Sequence, residues 1–197
     1  MRRVDIAALP CYYPQIEWKG PRRIERRGFA VLDEPSVFSL LYVSTATVSV
    51  AMALADTMQD ILVASDANNR RDGITGFLLS DGYAFVQLLE GSKREVQECF
   101  SRICADGRNS LPTVRDMSWS DSRLFPNWSM CALNLSGRDN LLLQPGDLGF
   151  DLFAASAGAL RQHLLALASN HGSDLMRAHA PLLGKRAKTK VISQDRT

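Results

Sequence analysis

Two strand-like runs, ITGFLLS at 74–80 and YAFVQLLE at 83–90, are separated only by Asp81-Gly82. That dipeptide suits a two-residue type I′ turn, whose twist matches the flanking strands, so a β-hairpin is expected. In the second run Tyr83, Phe85, Gln87 and Leu89 share one face, and Ala84, Val86 and Leu88 share the other. Both faces are largely apolar, which marks a central strand covered on both sides. The rest of the chain must therefore supply a layer above the hairpin and a layer below it.

The neighbouring segments provide the first layer. Residues 39–44 (SLLYVS) have the β-branched and aromatic character of a strand. Residues 51–67 switch to helical spacing, with Leu54, Met58, Ile61, Leu62 and Ser65 on one face. Asn68-Asn69 and the turn through Gly73 are expected to end that helix. Ser92-Lys93-Arg94-Glu95 forms a capping box that opens a second helix. Its core stripe is Val96, Cys99, Phe100 and Ile103, and Asp106-Gly107 closes it. Residues 113–119 and 128–135 read as two further strands.

The order is β-α-β-β-α-β-β, an α+β chain on the ferredoxin-like plan. In that plan the first and third strands are neighbours at the sheet centre, so Tyr42 and Gln87 lie on adjacent strands. Both helices cover one face and leave the other bare. Leu152, Phe153, Ala157, Leu160, Leu164 and Leu167 make an apolar helical stripe within 147–183, and Ser173 is placed to cap a second short helix ending near Pro181. These helices suit a lid on the bare face or a partner-binding pair. The lid is preferred, because an uncovered apolar sheet face promotes aggregation.

The domain layout follows. Residues 1–37, with Pro10, Pro14, Pro21 and Pro35 and no period, read as an N-terminal extension. Residues 38–135 are the main domain, 136–183 a helical cap, and 184–197 a basic, disordered tail. That tail holds Lys185, Arg186, Lys188, Lys190 and Arg196 against Asp195. The whole chain is only +2, so the body between the ends is net acidic and makes a poor nucleic-acid platform. No apolar run reaches the roughly 18 residues a membrane span needs, and the start lacks the apolar stretch of a secretory signal. Four scattered cysteines without a CxxC pair are expected to be reduced thiols in a cytoplasmic protein. All three histidines fall at 163 or later, so the main domain has none for acid–base work or metal binding. Most hydrolase and metalloenzyme readings fall away on that ground.

No G-x-G-x-x-G or P-loop pattern occurs, so phosphates would have to be met by isolated arginines such as Arg70, Arg71 or Arg108. The informative polar residue is Gln87, in the middle of an apolar central strand. A buried amide left without a partner costs roughly 1–3 kcal/mol, so Gln87 needs hydrogen-bonding company. Taken singly, Gln87 is a satisfied core amide, Tyr42 a core tyrosine, Asn68-Asn69 a helix cap, and Trp128 and Met130 core filler.

Taken together they resemble a known family. LYVS (41–44), NNRRDGITG (68–76), FVQLLEG (85–91), the Asp-x-Arg of DGRN (106–109) and FPNWSM (125–130) are similar in order and spacing to the signature blocks of the BLUF domain. The resemblance covers about half the chain. It implies a flavin held non-covalently between the two helices and the sheet, FAD as the usual ligand with FMN possible. By that resemblance Tyr42 would donate an electron and a proton, and Gln87 would bridge Tyr42 and the flavin edge. Asn69 would bond the ring carbonyls with Asn68 beside it, Ile61 would pack on the ring, and Arg108 would approach the ribityl-phosphate arm. Trp128 and Met130 would flank Gln87 and report its state. Asn109 departs from the pattern, in which His follows that Arg. The implied protein is no enzyme but a short photoreceptor, expected to be a homo-oligomer that signals to a separate, unidentified protein without contacting nucleic acid or membrane. A light-insensitive flavin-binding adaptor and a ferredoxin-like flavoenzyme are the competing expectations.

Overall fold

The computed structural model describes residues 36–128, 131–134 and 151–189. In chain order these form β1 (Val37–Ala46), α1 (Val48–Met52), α2 (Leu54–Asp72), β2 (Thr75–Ser80), β3 (Ala84–Gly91), α3 (Lys93–Cys104), β4 (Asn109–Ser120), β5 (Cys131–Asn134) and α4 (Ala157–Thr189). The sheet order is β4-β1-β3-β2-β5. The first four strands pair antiparallel, and β5 adds to the edge of β2 in parallel. This is the ferredoxin-like α+β arrangement with one strand appended.

Several local details differ from the sequence expectation. The first helix breaks at Ala53 (φ −134°, ψ 40°) into α1 and α2. Val48 and Val50 just before the break are β-branched and weak helix formers, which favours a short separate turn. At its other end α2 does not stop at Asn68-Asn69. It runs to Asp72, where Gly73 takes the left-handed conformation (φ 64°) and Ile74 N–H returns to Asn69 O at 2.8 Å. Both asparagines are thus helical residues whose side chains are released for other work.

The hairpin forms, but not with a type I′ turn. Gly82 has φ 96° while Asp81 lacks the positive φ that turn type demands. Side chains close the turn instead: Asp81 Oδ1 accepts from Tyr83 N and Ala84 N at 2.9 and 2.8 Å, and Ser80 Oγ donates to Ala84 O at 2.9 Å. Asp is a strong turn former because its short carboxylate bonds the backbone two residues on. The capping box is present, with Ser92 Oγ accepting from Glu95 N.

Two apolar layers result. On one face Phe38, Leu40, Tyr42 and Leu89 meet Val96, Cys99 and Phe100 of α3, and Leu78 and Phe85 meet Val50, Leu54, Met58 and Leu62 of α1 and α2. On the other face Leu41, Val43, Phe77, Leu79, Val86 and Leu88 cluster with Leu160, Leu164, Leu167 and Leu175. Helix α4 therefore covers the second sheet face. It is one helix, not two: Leu167, His171 and Leu175 are all buried, and their i, i+4, i+8 spacing carries the stripe past Ser173. The helix also continues through 184–189, part of the expected tail. Phe153, assigned to the stripe, is half exposed.

A polar anchor fixes α4. Arg161 donates to Asp116 Oδ2 (3.0 Å), Ser118 Oγ (2.9 Å) and Ser39 Oγ (3.1 Å). Cys99 is a free buried thiol. Cys104 is disulfide-bonded, contrary to the expectation of reduced thiols; it lies on a less buried face of α3 than Cys99.

Leu164→Ala should cost about 2–5 kcal/mol, the usual range for emptying a buried leucine site. The check is the denaturant midpoint of the full chain; an unchanged midpoint would mean that α4 does not share the core.

Candidate flavin site

The side chains named from sequence converge because strand parity and helix phase aim them at one space. Tyr42 and Gln87 are directly opposite each other in the β1–β3 ladder. The β1–β4 register shifts between Leu41 and Tyr42 and again between Val43 and Thr45. Such irregularities re-aim a side chain locally. Tyr42 Oη donates to Gln87 Oε1 at 2.7 Å, and the two residues are 3% and 4% exposed. The Phe100 ring lies 5.2 Å from the Tyr42 ring.

Around this pair is a cleft of about 180 Å³ between α2, α3 and the sheet. Tyr42, Ile61, Asn68, Asn69, Gln87 and Arg108 all line it, so six of the eight sequence-named positions share one site. Asn69 is buried and Asn68 exposed. Asn68 Nδ2 bonds back to Ala64 O at 3.0 Å, while Cys99 Sγ lies 4.0 Å from Asn69 Oδ1. Arg108 is gripped by Asp106, with Nε 2.9 and 3.0 Å from the two carboxylate oxygens. That guanidinium holds the Asp106 carboxyl below the usual carboxylate range. Arg108 thus reaches the cleft rim as one half of an ion pair rather than as a lone cation.

Of the remaining two positions, Met130 lies outside the described residues. Trp128 does not flank Gln87; it sits on the α4 side of the sheet. Its ring stacks on Phe125 at 5.6 Å and leans on Phe77 at 5.5 Å. A Cβ at Gly172 would collide with it, so the ring fills the space a glycine leaves on α4. The aromatic surface of Phe77 and Phe125 is a better seat for an indole than a polar cleft.

Sequence reasoning missed other lining residues: Ala64, Leu78, Phe85, Cys99, Arg102 and Asp106. A signal existed for some. Phe85 shares a strand face with Gln87, and Ala64 with Asn68 follows the helical i, i+4 spacing. Nothing in the sequence marked Cys99 or Arg102 as anything but core and surface.

The lining suits a flavin. Ile61, Leu78 and Phe85 offer apolar walls for a planar ring. The amides of Asn69 and Gln87 present donors and acceptors to an edge of alternating nitrogens and carbonyls. Asn109 Oδ1 is buried without a hydrogen-bond partner, while its Nδ2 bonds Ile103 O at 3.1 Å. A buried acceptor left idle is costly, and a hydroxyl-bearing ligand arm would satisfy it.

The comparisons with known proteins agree with this geometry. The sequence profile described as "BLUF: Sensors of blue-light using FAD" matches residues 37–131. The dark-state structure of BlrB, a BLUF protein, is 31% identical over 67% of this chain and 97% of its own, with a TM-score of 0.51. This chain belongs to the BLUF family. BlsA in its photo-activated state is 26% identical over 66% of this BLUF chain and 94% of its own, TM-score 0.56. The photoactivated adenylate cyclase subunit alpha of Euglena gracilis is 27% identical over 97 residues. The chain spans only 9% of that relative's length and 49% of its own. The BLUF domain is a flavin-binding photosensor and not itself catalytic. Among the described residues no helix is long and apolar enough to cross a membrane.

Burial pushes the Tyr42 phenol far above its ordinary value, with Cys99 and Asp106 adding to the effect. The contribution to stability is complete below about pH 10, where an unfolded tyrosine is still neutral. It is lost as pH rises above that point, because the unfolded chain ionises first. Unfolding free energy should therefore fall steeply on the alkaline side in the wild type and less steeply in Tyr42→Phe. Identical alkaline slopes in denaturation series would contradict the buried, neutral phenol.

Proposed function

We propose that this chain is a blue-light switch that binds FAD non-covalently and signals through rearrangement of the Tyr42–Gln87 hydrogen bond to a separate partner protein. The observation that carries the reading is the buried 2.7 Å bond from Tyr42 Oη to Gln87 Oε1 inside the cleft. What a bound flavin supplies is absorption in the blue and oxidising power once excited. The chain supplies the response. Tyr42 is an oxidisable side chain whose hydroxyl proton already points along a hydrogen bond, so electron and proton can leave together and return together.

Gln87 converts that transfer into a change of pattern. A carboxamide has an acceptor end and a donor end. Turning the amide, or shifting its tautomer, exchanges the ends and alters what Gln87 offers to the cleft. Low polarity around the pair strengthens each bond and enlarges the difference between the two patterns. Asn69, buried beside Cys99, holds the ligand edge in place, and Ile61 packs its ring. Arg108, Arg102 and Asn109 line the cleft, where an anionic, hydroxyl-rich arm would run; FAD and FMN both carry such an arm, and FAD is the ligand proposed. The output is a protein-level displacement read by a partner in the cytoplasm, with a homo-oligomer as the working form and no chemistry of its own.

The test is a visible spectrum of the purified chain in the dark and under blue light. A reversible red shift with thermal recovery is expected, because an added hydrogen bond at a flavin carbonyl favours the excited state. Bound flavin without a shift would support the adaptor instead, and a colourless chain that takes up no flavin would end the reading. Tyr42→Phe should keep its flavin and lose the shift. Normal photocycling in this variant would show that another residue is the donor.

A further inference from the structure

Three residues beyond Gln87, β3 buries a carboxylate. Glu90 is 1% exposed. Its Oε1 accepts from Leu124 N at 2.8 Å, and its Oε2 accepts from Phe125 N at 2.9 Å and from Thr75 Oγ1 at 3.5 Å. The preceding residue tightens the same junction: Arg123 donates to Glu90 O (3.2 Å), Thr75 Oγ1 (2.9 Å) and Gly73 O (2.7 Å). The loop that follows β4 is thus fastened to β3 by one side chain that meets two consecutive N–H groups. Only a carboxylate does this, because each N–H needs its own acceptor oxygen.

Strand parity puts Glu90 on the opposite face from Gln87. Gln87 faces the cleft; Glu90 faces the α4 side. The loop it holds carries the stacked rings of Phe125 and Trp128, and the Trp128 ring packs over Gly172 of α4. A second cleft of about 200 Å³, lined by Phe125, Trp128, Leu165 and Ala168 among others, lies beside that contact. Among the described residues the loop is tied to β3 through Glu90 and its Arg123 neighbour, and to β2 through the bond from Gly76 N–H to Trp128 O (2.9 Å).

We propose that Glu90 is the positioning residue that couples β3 to α4, so that a displacement of β3 arising at Gln87 moves the 121–128 loop and, through Trp128 against Gly172, the long helix. The inference rests on the light-switch reading above. It assigns the exit route from the sheet to a residue outside the flavin cleft.

The experiment is hydrogen exchange read by mass spectrometry on the full, flavin-bound chain, in the dark and under blue light. The visible spectrum of each sample is recorded alongside. The wild type is expected to show a light-dependent exchange difference across residues 157–175. Glu90→Gln presents one acceptor and one donor to two N–H groups. It should keep the red shift and lose that difference. Gly172→Ala drives a methyl into the Trp128 ring and should give the same loss from the far end, which decides the matter if Glu90→Gln does not fold. A wild-type exchange difference in either folded variant overturns the proposal. So does a red shift that disappears with Glu90→Gln, which would make Glu90 part of the sensor, or a wild type that shifts in colour with no change in α4. A wild type without flavin or without a red shift is a separate result, seen before any variant is made, and it removes the light-switch reading itself.

Discussion

A phenol and a carboxamide held 2.7 Å apart in the middle of a sheet place a demand on everything around them. Neither group can be buried alone without a penalty of about 1–3 kcal/mol for an unmet hydrogen-bonding atom. Their partnership needs β1 and β3 to be adjacent, antiparallel and in one register, since a slip of a single residue would send one side chain through to the opposite face. The ferredoxin-like order provides the adjacency, the apolar faces of both strands fix the register, and α2 and α3 close the space above. The cleft is thus a consequence of the same pairing that makes the sheet.

The opposite face explains how a small change could be felt at a distance. An α4 packed through Leu160, Leu164, Leu167 and Leu175 buries the apolar underside of the strands. Close-packed interfaces do not deform continuously; they move between discrete arrangements. Arg161 pins α4 to Asp116, Ser118 and Ser39 at one side, whereas contact at the other side is an indole against a glycine. The helix is therefore held by directional polar bonds near β1 and β4 and by apolar packing near the 121–128 loop.

Much of this was legible in the sequence because it follows from period and parity. The hairpin, the Ser92–Glu95 cap, the central position of β3 and the meeting of Tyr42 with Gln87 all come from the two-residue repeat of strands and the helical repeat of 3.6. What escaped was decided by contacts between segments. Asn68-Asn69 and the turn through Gly73 looked together like the helix end, yet the helix itself runs on to Asp72 with only Gly73 as its cap, which turns Asn69 inward. Asp81-Gly82 announced a turn but not its type, which side-chain capping settled. Trp128 read as a neighbour of Gln87 because it shares a motif with Met130, but the aromatic surface of Phe77 and Phe125 claimed its ring. Ser173 looked like a fresh cap until buried Leu175 continued the stripe. Glu90 drew no notice, since one acidic residue at a strand end is ordinary until the loop it holds is seen.

The central claim is that one hydrogen bond is the moving part. The direct measurement is an isotope-edited NMR comparison of the Gln87 side-chain amide and the Tyr42 hydroxyl proton, in flavin-bound protein held dark and under steady blue light. The account predicts a protected Tyr42 hydroxyl proton in the dark and a displaced pair of Gln87 amide resonances under illumination, reverting together after the light is removed. Gln87 and Tyr42 signals that stay fixed while the flavin spectrum shifts would contradict it.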